Sequence, residues 1–401
     1  METRIIKDDI PAAAEIIKDG GIVAVPTETV YGLAGNGLDE SAVRQIYEVK
    51  GRPAVKPLSL MVPDKSAMAE YCVDVPEAAV RLAEKYWPGP LTIVLKAKPN
   101  VPAIVRAGGA TVGLRCPDHP LTLEALRLAK LPFAAPSANP SGSESPKDAA
   151  KVLEYFNGKI PAVIDGGHCG IGRESTLIDM SAKPYKILRE GALGADEIAD
   201  ALADNMRLIG ITGGTGSGKT TALDVLRDLG ALVIDCDALY HELLEHSAEL
   251  VADIAAEFST AVTNGKVDRK ALGEIVFTDA QKLLKLNAIT HSAISRELRR
   301  RMRAWAMQGG TLAAVDAIEL ISSGLAGQCF ATVGITADRE VRLARIMARD
   351  GVSAEYAEKR ISAQHTDDYF AEHCDYILHN NGTREEFYDR CLNLFLEVLE
   401  K

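Results

Sequence analysis

The chain has 401 residues, of which 47% are hydrophobic and 25% charged, and its formal net charge is -11 at pH 7. This length predicts two or three domains, and the composition is typical of a globular protein with ample apolar material for its cores. The acidic balance argues against a generally basic protein that coats nucleic acid.

The cysteines and the N-terminal segment both favour the cytoplasm as the compartment of this protein. The seven cysteines are scattered and never spaced as C-x-x-C, so we expect reduced thiols rather than disulfides or a four-cysteine zinc site. The N-terminus is too charged for a signal peptide, and no uninterrupted apolar run is long enough to span a bilayer. We therefore expect a cytoplasmic protein that makes no membrane contact.

Short β-rich and helical runs alternate over residues 1–195, separated by many glycines and prolines. Strands that enter turns are predicted at 21–27, 91–97, 111–117, 131–139 and 161–167. An amphipathic helix is predicted at 39–50, with Asp39 as its N-cap and Gly51 just past its end. A short helix at 195–205 closes this half of the chain.

After Met206 the pattern changes to strand, glycine-rich loop and helix. Long helical stretches follow, with apolar runs at 311–318 and 330–336 that are typical of buried strands. This order predicts βαβ units and a parallel sheet. We therefore expect an α/β protein with two domains, 1–204 and 205–401, joined by a short linker.

The motif G-x-x-x-x-G-K-[ST] occurs at Gly213–Thr220, between a strand-like and a helix-like run. In such a loop the backbone N–H groups face phosphates, and the following helix adds partial positive charge. We expect Lys219 at the β- and γ-phosphates of ATP and the Thr220 hydroxyl on Mg²⁺. The predicted ATP contacts are Gly214, Thr215, Gly216, Ser217, Gly218, Lys219, Thr220 and Thr221.

Acidic residues follow two of the later strands. The stretch 230–244 ends a second strand with Asp235 and Asp237, at the sheet edge where ligands bind. We expect Asp235 to cap the next helix and Asp237 to accept the proton of an acceptor hydroxyl. Asp316 ends a later strand, where P-loop proteins place an acid that positions metal or water. The arginine-rich helical pair at 339–364 is a candidate lid over phosphates, with a solvated charged face as the alternative.

Residues 206–401 resemble the dephospho-CoA kinase family over essentially its full length. The matching segments are "GITGGTGSGKTT", "VIDCDALYHEL", "GKVDRKALGEIVF", "RIMARDG…AEKRISAQ" and "CDYILHNNG". The resemblance implies a P-loop kinase with a parallel sheet and a helical lid, which phosphorylates the ribose 3′-hydroxyl of dephospho-CoA with ATP and Mg²⁺. It implies Asp237 as the base, Arg349 in the lid and Asn380 near the adenine.

The chain departs from that family's pattern on the acceptor side. The stretch "DAIELISS" (316–323) replaces Asp-x-Pro-Leu-Leu-Phe-Glu, with Ile318 in place of proline and Ser322 in place of glutamate. The other replacements are Arg342 for a lid glutamine, Phe370 for a lysine and Ser292 for a proline. The alternative for this half is therefore a degenerate nucleotide-binding domain that regulates and does not transfer phosphate.

The first half has no single short motif that dictates its chemistry. The segment "KGRPAVKPLSLMV" places Lys50, Arg52 and Lys56 on a rigid, non-helical stretch, which suits a triphosphate or is ordinary surface charge. The polar loop at 135–146 is a second candidate, with a solvent-exposed linker as the alternative. These fragments alone do not define a site.

Taken together, residues 5–203 resemble the YrdC-like threonylcarbamoyl-AMP synthase family. The segments in family order are "PTETVYGL", "KGRP…KPLSL", "WPGPLT", "VGLRCPDHP", "APSANPSG", "ESTLID" and "LREGA". The resemblance implies a twisted α/β sheet with one deep, positively lined cavity. There, L-threonine, bicarbonate and ATP would give threonylcarbamoyl-AMP and pyrophosphate. The product supplies the t⁶A modification of adenosine 37 in tRNA, so tRNA or the t⁶A-transfer machinery is a further candidate partner.

The same resemblance implies residue roles. Lys50, Arg52 and Lys56 would contact the ATP phosphates, with the first two catalytic. Threonine would be held by Thr29, Arg115 and Ser175, with Arg115 at its carboxylate. The rest of the nucleotide site would be Thr111, Ser137, Asn139, Ser145 and Arg189. We therefore expect a bifunctional enzyme that uses ATP at two sites, and the alternative for the first half is a tRNA-binding module without synthesis.

Overall fold

The computed structural model describes residues 2–401. Its described residues fall into two compact units. One comprises the residues up to Asn205 with Met307–Gly309, and the other comprises Met206–Ala306 with Gly310–Lys401. Within 2–401, no helix is both long and apolar enough to cross a membrane.

The first unit is a mixed α/β structure. Its strands are β1 (Arg4–Ile6), β2 (Val23–Val25), β3 (Gly32–Asn36), β4 (Ser59–Met61), β5 (Leu91–Lys96), β6 (Thr111–Arg115), β7 (Phe133–Ala134), β8 (Ala162–Ile164), β9 (Thr176–Asp179) and β10 (Lys186–Arg189). Its helices are α1 (Ile10–Lys18), α2 (Glu40–Lys50), α3 (Ala67–Tyr71), α4 (Glu77–Tyr86), α5 (Pro120–Ala129), α6 (Ala149–Phe156) and α7 (Ala195–Asp204). The strands form one mixed sheet in the order β1-β8-β2-β3-β7-β4-β6-β5-β9-β10.

The five predicted strands of this unit are confirmed as β2, β5, β6, β7 and β8, each shorter than the run that predicted it. Proline limits two of them, because it cannot donate to a ladder: Pro26 follows β2 and Pro132 precedes β7. The predicted helix α2 is also confirmed with its caps. The Asp39 carboxylate accepts from the backbone N–H of Ser41 at 2.8 Å, and Gly51 ends the helix at φ 59°.

The core of the first unit lies between the sheet and a helix pair. Helices α1 and α5 contribute Ile17 and Leu126 to a cluster with Phe133 of β7, all essentially inaccessible. In the sheet, β4 and β6 run parallel with Met61 beside Arg115. Their carboxyl ends therefore finish side by side, and this edge carries the candidate site.

The second unit is built on a parallel sheet. Its strands are β11 (Arg207–Gly213), β12 (Leu232–Asp235), β13 (Val262–Thr263), β14 (Lys266–Val267), β15 (Leu312–Asp316), β16 (Ala331–Thr336) and β17 (Tyr376–His379). Its helices are α8 (Lys219–Asp228), α9 (Cys236–His246), α10 (Ala248–Glu257), α11 (Arg269–Val276), α12 (Ala280–Met307), α13 (Arg339–Asp350), α14 (Ala354–Ser362), α15 (Asp367–His373) and α16 (Arg384–Glu400).

Strand order places the acidic residues of the second unit together. The main sheet has the order β12-β15-β11-β16-β17 with every neighbouring pair parallel, which confirms the predicted parallel sheet. Asp235 and Asp316 are direct partners in the β12–β15 register. Because Asp316 also pairs with Ile211 of the central strand, both acids lie at the edge where the glycine loop begins.

Helices α8 and α16 cover one face of this sheet. Phe387 and Phe395 of α16 are inaccessible and pack in one cluster with Leu226 of α8 and Val333 of β16. Burial of such large apolar side chains is the main stabilising contribution available to this layer.

Replacing Phe395 by alanine should lower the free energy of unfolding of the second unit by about 3–5 kcal/mol, because the removed ring leaves a cavity in this cluster. Leu396 is the next residue but 44% exposed, so Leu396→Ala is a matched control that should cost less than about 1 kcal/mol. Denaturant unfolding of the intact chain measures both variants. Equal losses in the two variants would contradict this packing.

Candidate active sites

A cavity in the first unit lies where β4, β6 and β7 end. Its lining residues are Val30, Arg52, Pro57, Leu58, Ser59, Met61, Thr92, Arg115, Ala135, Pro136, Ser137, Glu174, Ser175 and Arg189. Five predicted site residues line it together: Arg52, Arg115, Ser137, Ser175 and Arg189. Three of these are arginines, so the wall carries the positive charge that an anionic substrate requires.

Arg115 is held in a defined orientation in the cavity wall. Its Nη2 donates to the Glu28 carboxylate at 2.8 Å and to the Thr29 hydroxyl at 2.7 Å, and its Nε donates to the Gly89 carbonyl at 3.3 Å. The Arg115 and Glu28 side chains are only 8% and 13% exposed. Thr29 and Arg115 are thus brought together, and the ion pair with Glu28 orients the buried guanidinium.

A second cluster surrounds Glu174. Arg189 donates to the Glu174 carboxylate, and the Ser145 hydroxyl donates to the same carboxylate at 3.2 Å. Arg189 also donates to the Ser175 carbonyl at 3.1 and 2.9 Å, while the Ser175 and Thr92 hydroxyls lie 2.8 Å apart. Ser145, Ser175 and Arg189 therefore form one hydrogen-bonded group at the cavity.

Lys50 is held by the loop that follows β7, and its expected contact with the ATP phosphates stays a prediction. It is the last residue of α2, only 3% exposed, and its ammonium donates to the carbonyls of Ser137 and Asn139. Burial lowers the pKa of Lys50 to about 7, and the neighbouring charge of Arg52 acts in the same direction while Glu174 opposes it. In this structure Lys50 secures the 137–139 loop and is absent from the described cavity lining.

Five other predicted residues are also outside that lining. Thr29 and Ser145 bond to Arg115 and Glu174 of the wall, as described above. Lys56 is exposed, and its backbone carbonyl accepts from Arg52 Nε at 3.2 Å. Thr111 begins β6, so it lies about 13 Å along the strand from Arg115. Asn139 is buried and donates to the carbonyls of Pro140 and Ser143 at 2.9 and 2.8 Å. The expected nucleotide contacts of these residues stay predictions.

The glycine loop of the second unit connects β11 to α8. Gly213 has φ 140°, and a side chain there would come within 2.2 Å of the Ile335 carbonyl oxygen. Gly218 has φ 104°, and a side chain there would meet the Asn380 amide. The Lys219 ammonium donates to the Gly213 carbonyl at 3.0 Å, across the loop. The loop therefore has a compact form that glycine alone allows, with its lysine folded over it.

The lid contacts the loop region through Arg345, and the expected role of Arg349 in the lid stays a prediction. Asn380 is 4% exposed and donates to the Ser217 carbonyl at 2.7 Å, and Arg345 donates to the Asn380 carbonyl at 3.0 Å. Arg349 lies one turn further along α13 and is exposed. Its guanidinium donates to Asp350 at 2.6 and 2.9 Å. Arg345 therefore contacts the loop region, whereas the adjacent acid holds Arg349 at the surface.

Three aspartates follow or end the strands beside the glycine loop, and the charge of Lys219 acts on two of them. Asp235 accepts from the N–H groups of Asp237 and Ala238 at 2.9 Å each, which confirms it as the cap of α9. One Asp316 oxygen is buried without a hydrogen-bond partner, and burial raises the pKa of Asp316 to about 6. The pKa of Asp237 is also raised, first by desolvation and then by the charge of Asp235. Lys219 opposes both shifts, so these groups act as one electrostatic cluster.

A pocket lies beside Asp237. It is lined by Cys236, Asp237, Tyr240, Leu286, Asn287, Thr290, His291, Ile294, Ser295, Ala317, Ile318, Glu319, Ser323 and Leu325. Helix α12 supplies polar groups on one side, and the altered stretch 316–323 supplies Glu319 on the other. The Ser322 hydroxyl donates to the Glu319 carboxylate. Although Ser322 replaces the glutamate of the family, the pocket still has a carboxylate. It belongs to Glu319, three positions earlier in the sequence.

Comparisons with known proteins assign each unit. The family model Sua5_yciO_yrdC, described as "Telomere recombination", matches residues 15–191, and the model described as "Dephospho-CoA kinase" matches residues 207–386. A putative threonylcarbamoyl-AMP synthase of Methanocaldococcus jannaschii is 38% identical over 46% of this chain and 86% of that protein. A dephospho-CoA kinase of Syntrophotalea carbinolica is 35% identical over 48% of this chain and 93% of that protein. The chain belongs to both families.

A longer relative extends beyond the matched region. The threonylcarbamoyl-AMP synthase of Pyrococcus abyssi is 45% identical over 204 residues, which are 51% of this chain and 60% of that protein. The chain thus spans little more than half the length of this relative.

Sequence reasoning missed three polar residues at the first cavity. Glu28, Thr92 and Glu174 stand inside the quoted segments "PTETVYGL", "WPGPLT" and "ESTLID". Two of them directly precede the predicted residues Thr29 and Ser175. An acid beside a predicted anion-binding residue is the signal that could have identified Glu28 and Glu174, because an arginine buried in a wall needs a counter-charge.

Replacing Asp235 by asparagine should lower the pKa of both Asp316 and Asp237, because the negative charge of Asp235 raises both. The asparagine oxygen can still accept the two N–H groups, so the cap of α9 is kept. Carboxyl NMR titration should show the Asp316 pKa moving down from about 6. Asp224→Asn on α8 is the control for loss of one charge. An unchanged Asp316 pKa would rule out this coupling.

Proposed function

We propose that the chain is a bifunctional enzyme. Residues 1–204 would make threonylcarbamoyl-AMP from L-threonine, bicarbonate and ATP, and residues 205–401 would phosphorylate dephospho-CoA with ATP. The observation that carries the proposal is that each unit has its own anion site, one built on arginines and the other on a glycine loop with Lys219. Membership in the two families supports the assignment of one reaction to each unit.

The first cavity suits the condensation because it holds cations beside hydroxyls. Arg115, oriented by Glu28 and Thr29, would bind the threonine carboxylate. The threonine amine would combine with bicarbonate to give a carbamate and water. A carbamate oxygen would then attack the α-phosphorus of ATP, and pyrophosphate would leave. Arg52 and Arg189 would neutralise the phosphate oxygens, which lowers the barrier to attack by an anion.

The second unit suits transfer to a hydroxyl. Asp237 lies in the pocket wall, where it would accept the proton of the acceptor hydroxyl while that oxygen attacks the γ-phosphorus and ADP leaves. The raised pKa of Asp237 makes it a stronger base than a surface aspartate once it is ionised. Lys219 would offset the charge that develops on the transferred group.

The second unit also offers donors that fit Mg²⁺. Thr220, the second residue of α8, carries a hydroxyl, and Asp316 has a buried carboxylate oxygen without a partner. Hard oxygen ligands of this type are those that Mg²⁺ prefers. We propose that these two residues hold the ion directly or through water, and bound Mg²⁺ would neutralise phosphate charge on ATP.

The wider setting follows from the substrates. Threonylcarbamoyl-AMP is consumed in modification of tRNA, so tRNA or the transfer machinery would receive the product of the first unit. Both reactions consume ATP, and we propose the cytoplasm as their compartment. The second candidate function is a kinase-like unit that binds nucleotide without turnover, which the altered stretch 316–323 favours.

Arg52→Ala should reduce pyrophosphate release roughly 10²- to 10³-fold, because one cation that stabilises phosphate charge is lost. ADP formation with dephospho-CoA should be unchanged. Pyrophosphate release must first be shown to require both threonine and bicarbonate. Arg44→Ala, an exposed arginine on α2, is the control and should retain activity. Release that persists when threonine or bicarbonate is omitted would contradict the synthase assignment.

Lys219→Ala should reduce ADP formation with dephospho-CoA roughly 10²- to 10³-fold and leave pyrophosphate release intact. The exposed Lys282→Ala is the matched control in the same unit. If the unaltered chain binds ATP but forms no ADP with dephospho-CoA, the nucleotide-binding alternative replaces the kinase. Loss of both activities in one variant would contradict independent sites.

A further inference from the structure

Arg342 on α13 is a buried arginine that the proposed chemistry does not use. It is 6% exposed and stands where the kinase family has glutamine. A buried guanidinium is costly unless its N–H groups are satisfied, so its contacts indicate why this position tolerates a charge.

The contacts of Arg342 reach the glycine loop. Its Nε donates to the Thr215 carbonyl at 3.0 Å, and its Nη2 donates to the Gln364 side-chain oxygen at 3.0 Å. Its Nη1 lies 4.0 Å from the Asp367 carboxylate. A side-chain carbon added at Gly214 would be 2.1 Å from Nη2, so the guanidinium packs directly against the loop backbone.

Gln364, two residues past the end of α14, also bonds to Thr215. Its side-chain oxygen accepts from the Thr215 N–H at 2.8 Å, and its amide donates to the Thr215 hydroxyl at 2.8 Å. The N–H, the carbonyl and the hydroxyl of Thr215 are thus all held by two lid side chains that also bond to each other.

We propose that Arg342 and Gln364 form a latch that fixes Thr215 and so positions the phosphate loop for the nucleotide. A loop ordered before binding loses less conformational entropy when the ligand arrives, which raises affinity. Arg342 is thus a positioning residue, and the planar fork of its guanidinium supplies two separate donors in fixed directions. The glutamine of the family is shorter and has a single donor group. This proposal rests on the proposed function in one respect, which is that ATP is the ligand of the glycine loop.

The test is ATP binding to the intact chain by calorimetry. The part of the binding isotherm that Lys219→Ala removes belongs to the glycine loop, which separates it from any ATP bound by the first unit. Arg342→Met, which keeps side-chain length, should weaken this component about tenfold. Gln364→Leu should weaken it to a similar extent. The double variant should be no weaker than the weaker single variant, because either change releases the same loop residue.

Two further variants separate positioning from charge and from folding. Arg342→Lys keeps the charge but loses the fork, so it should be as weak as Arg342→Met. Arg339→Met, one turn earlier on α13 at an exposed arginine paired with Glu358, should bind ATP like the unaltered chain. If Arg342→Met does not fold, Gln364→Leu alone must still lower ATP affinity.

Three results would overturn the latch: unchanged ATP affinity in Arg342→Met or Gln364→Leu, additive losses in the double variant, or full affinity in Arg342→Lys. Because the measurement contains no acceptor, a chain that fails to phosphorylate dephospho-CoA can still support or refute the latch. Absence of any Lys219-dependent ATP binding would refute the latch together with the nucleotide site.

Discussion

Both candidate sites depend on charged groups that are partly removed from water before any substrate binds. Such groups stay in place only if another group compensates them. In the first unit Glu28 compensates Arg115 and Glu174 compensates Arg189. In the second unit Lys219 opposes the raised pKa values of Asp237 and Asp316. In each unit, therefore, oppositely charged side chains of the site already interact with each other. A substrate anion or a metal ion that binds there must compete with these interactions or add to them.

The same requirement explains where the predicted cations lie. The Lys50 ammonium donates hydrogen bonds to two carbonyls of the 137–139 loop and so holds that loop in place. Arg342 is satisfied by Thr215 and Gln364 and serves the glycine loop in a comparable way. In both units a buried cation thus orders a loop, while other cations line the space beside it. Ordering of a loop and binding of a ligand are separate tasks, and different side chains perform them.

Two departures from the kinase family pattern have local structural explanations. Phe370 replaces a lysine and is 2% exposed, so it is part of the packing. Ser322 replaces a glutamate but donates to Glu319, which returns a carboxylate to the acceptor pocket. At these two positions another side chain or contact takes the place of the family residue. The glycine loop and Asp235 and Asp316 at the strand ends are unchanged.

The sequence by itself determined the two families, the parallel sheet, the glycine loop and the caps of α2 and α9. These features depend on local spacing, on β and helical patterns, and on residues such as Gly213 and Asp39 whose role follows from the backbone. Only the tertiary structure decided that Arg345 contacts the loop region and Arg349 does not, that Lys50 points into the protein, and that Glu28 and Glu174 pair with the cavity arginines. These outcomes depend on partners far apart in the sequence, such as Lys50 and Asn139, which are 89 positions apart. The charge of a lysine or arginine can be read from the sequence. The orientation of its side chain depends on which carbonyl or carboxylate the fold brings within hydrogen-bond distance.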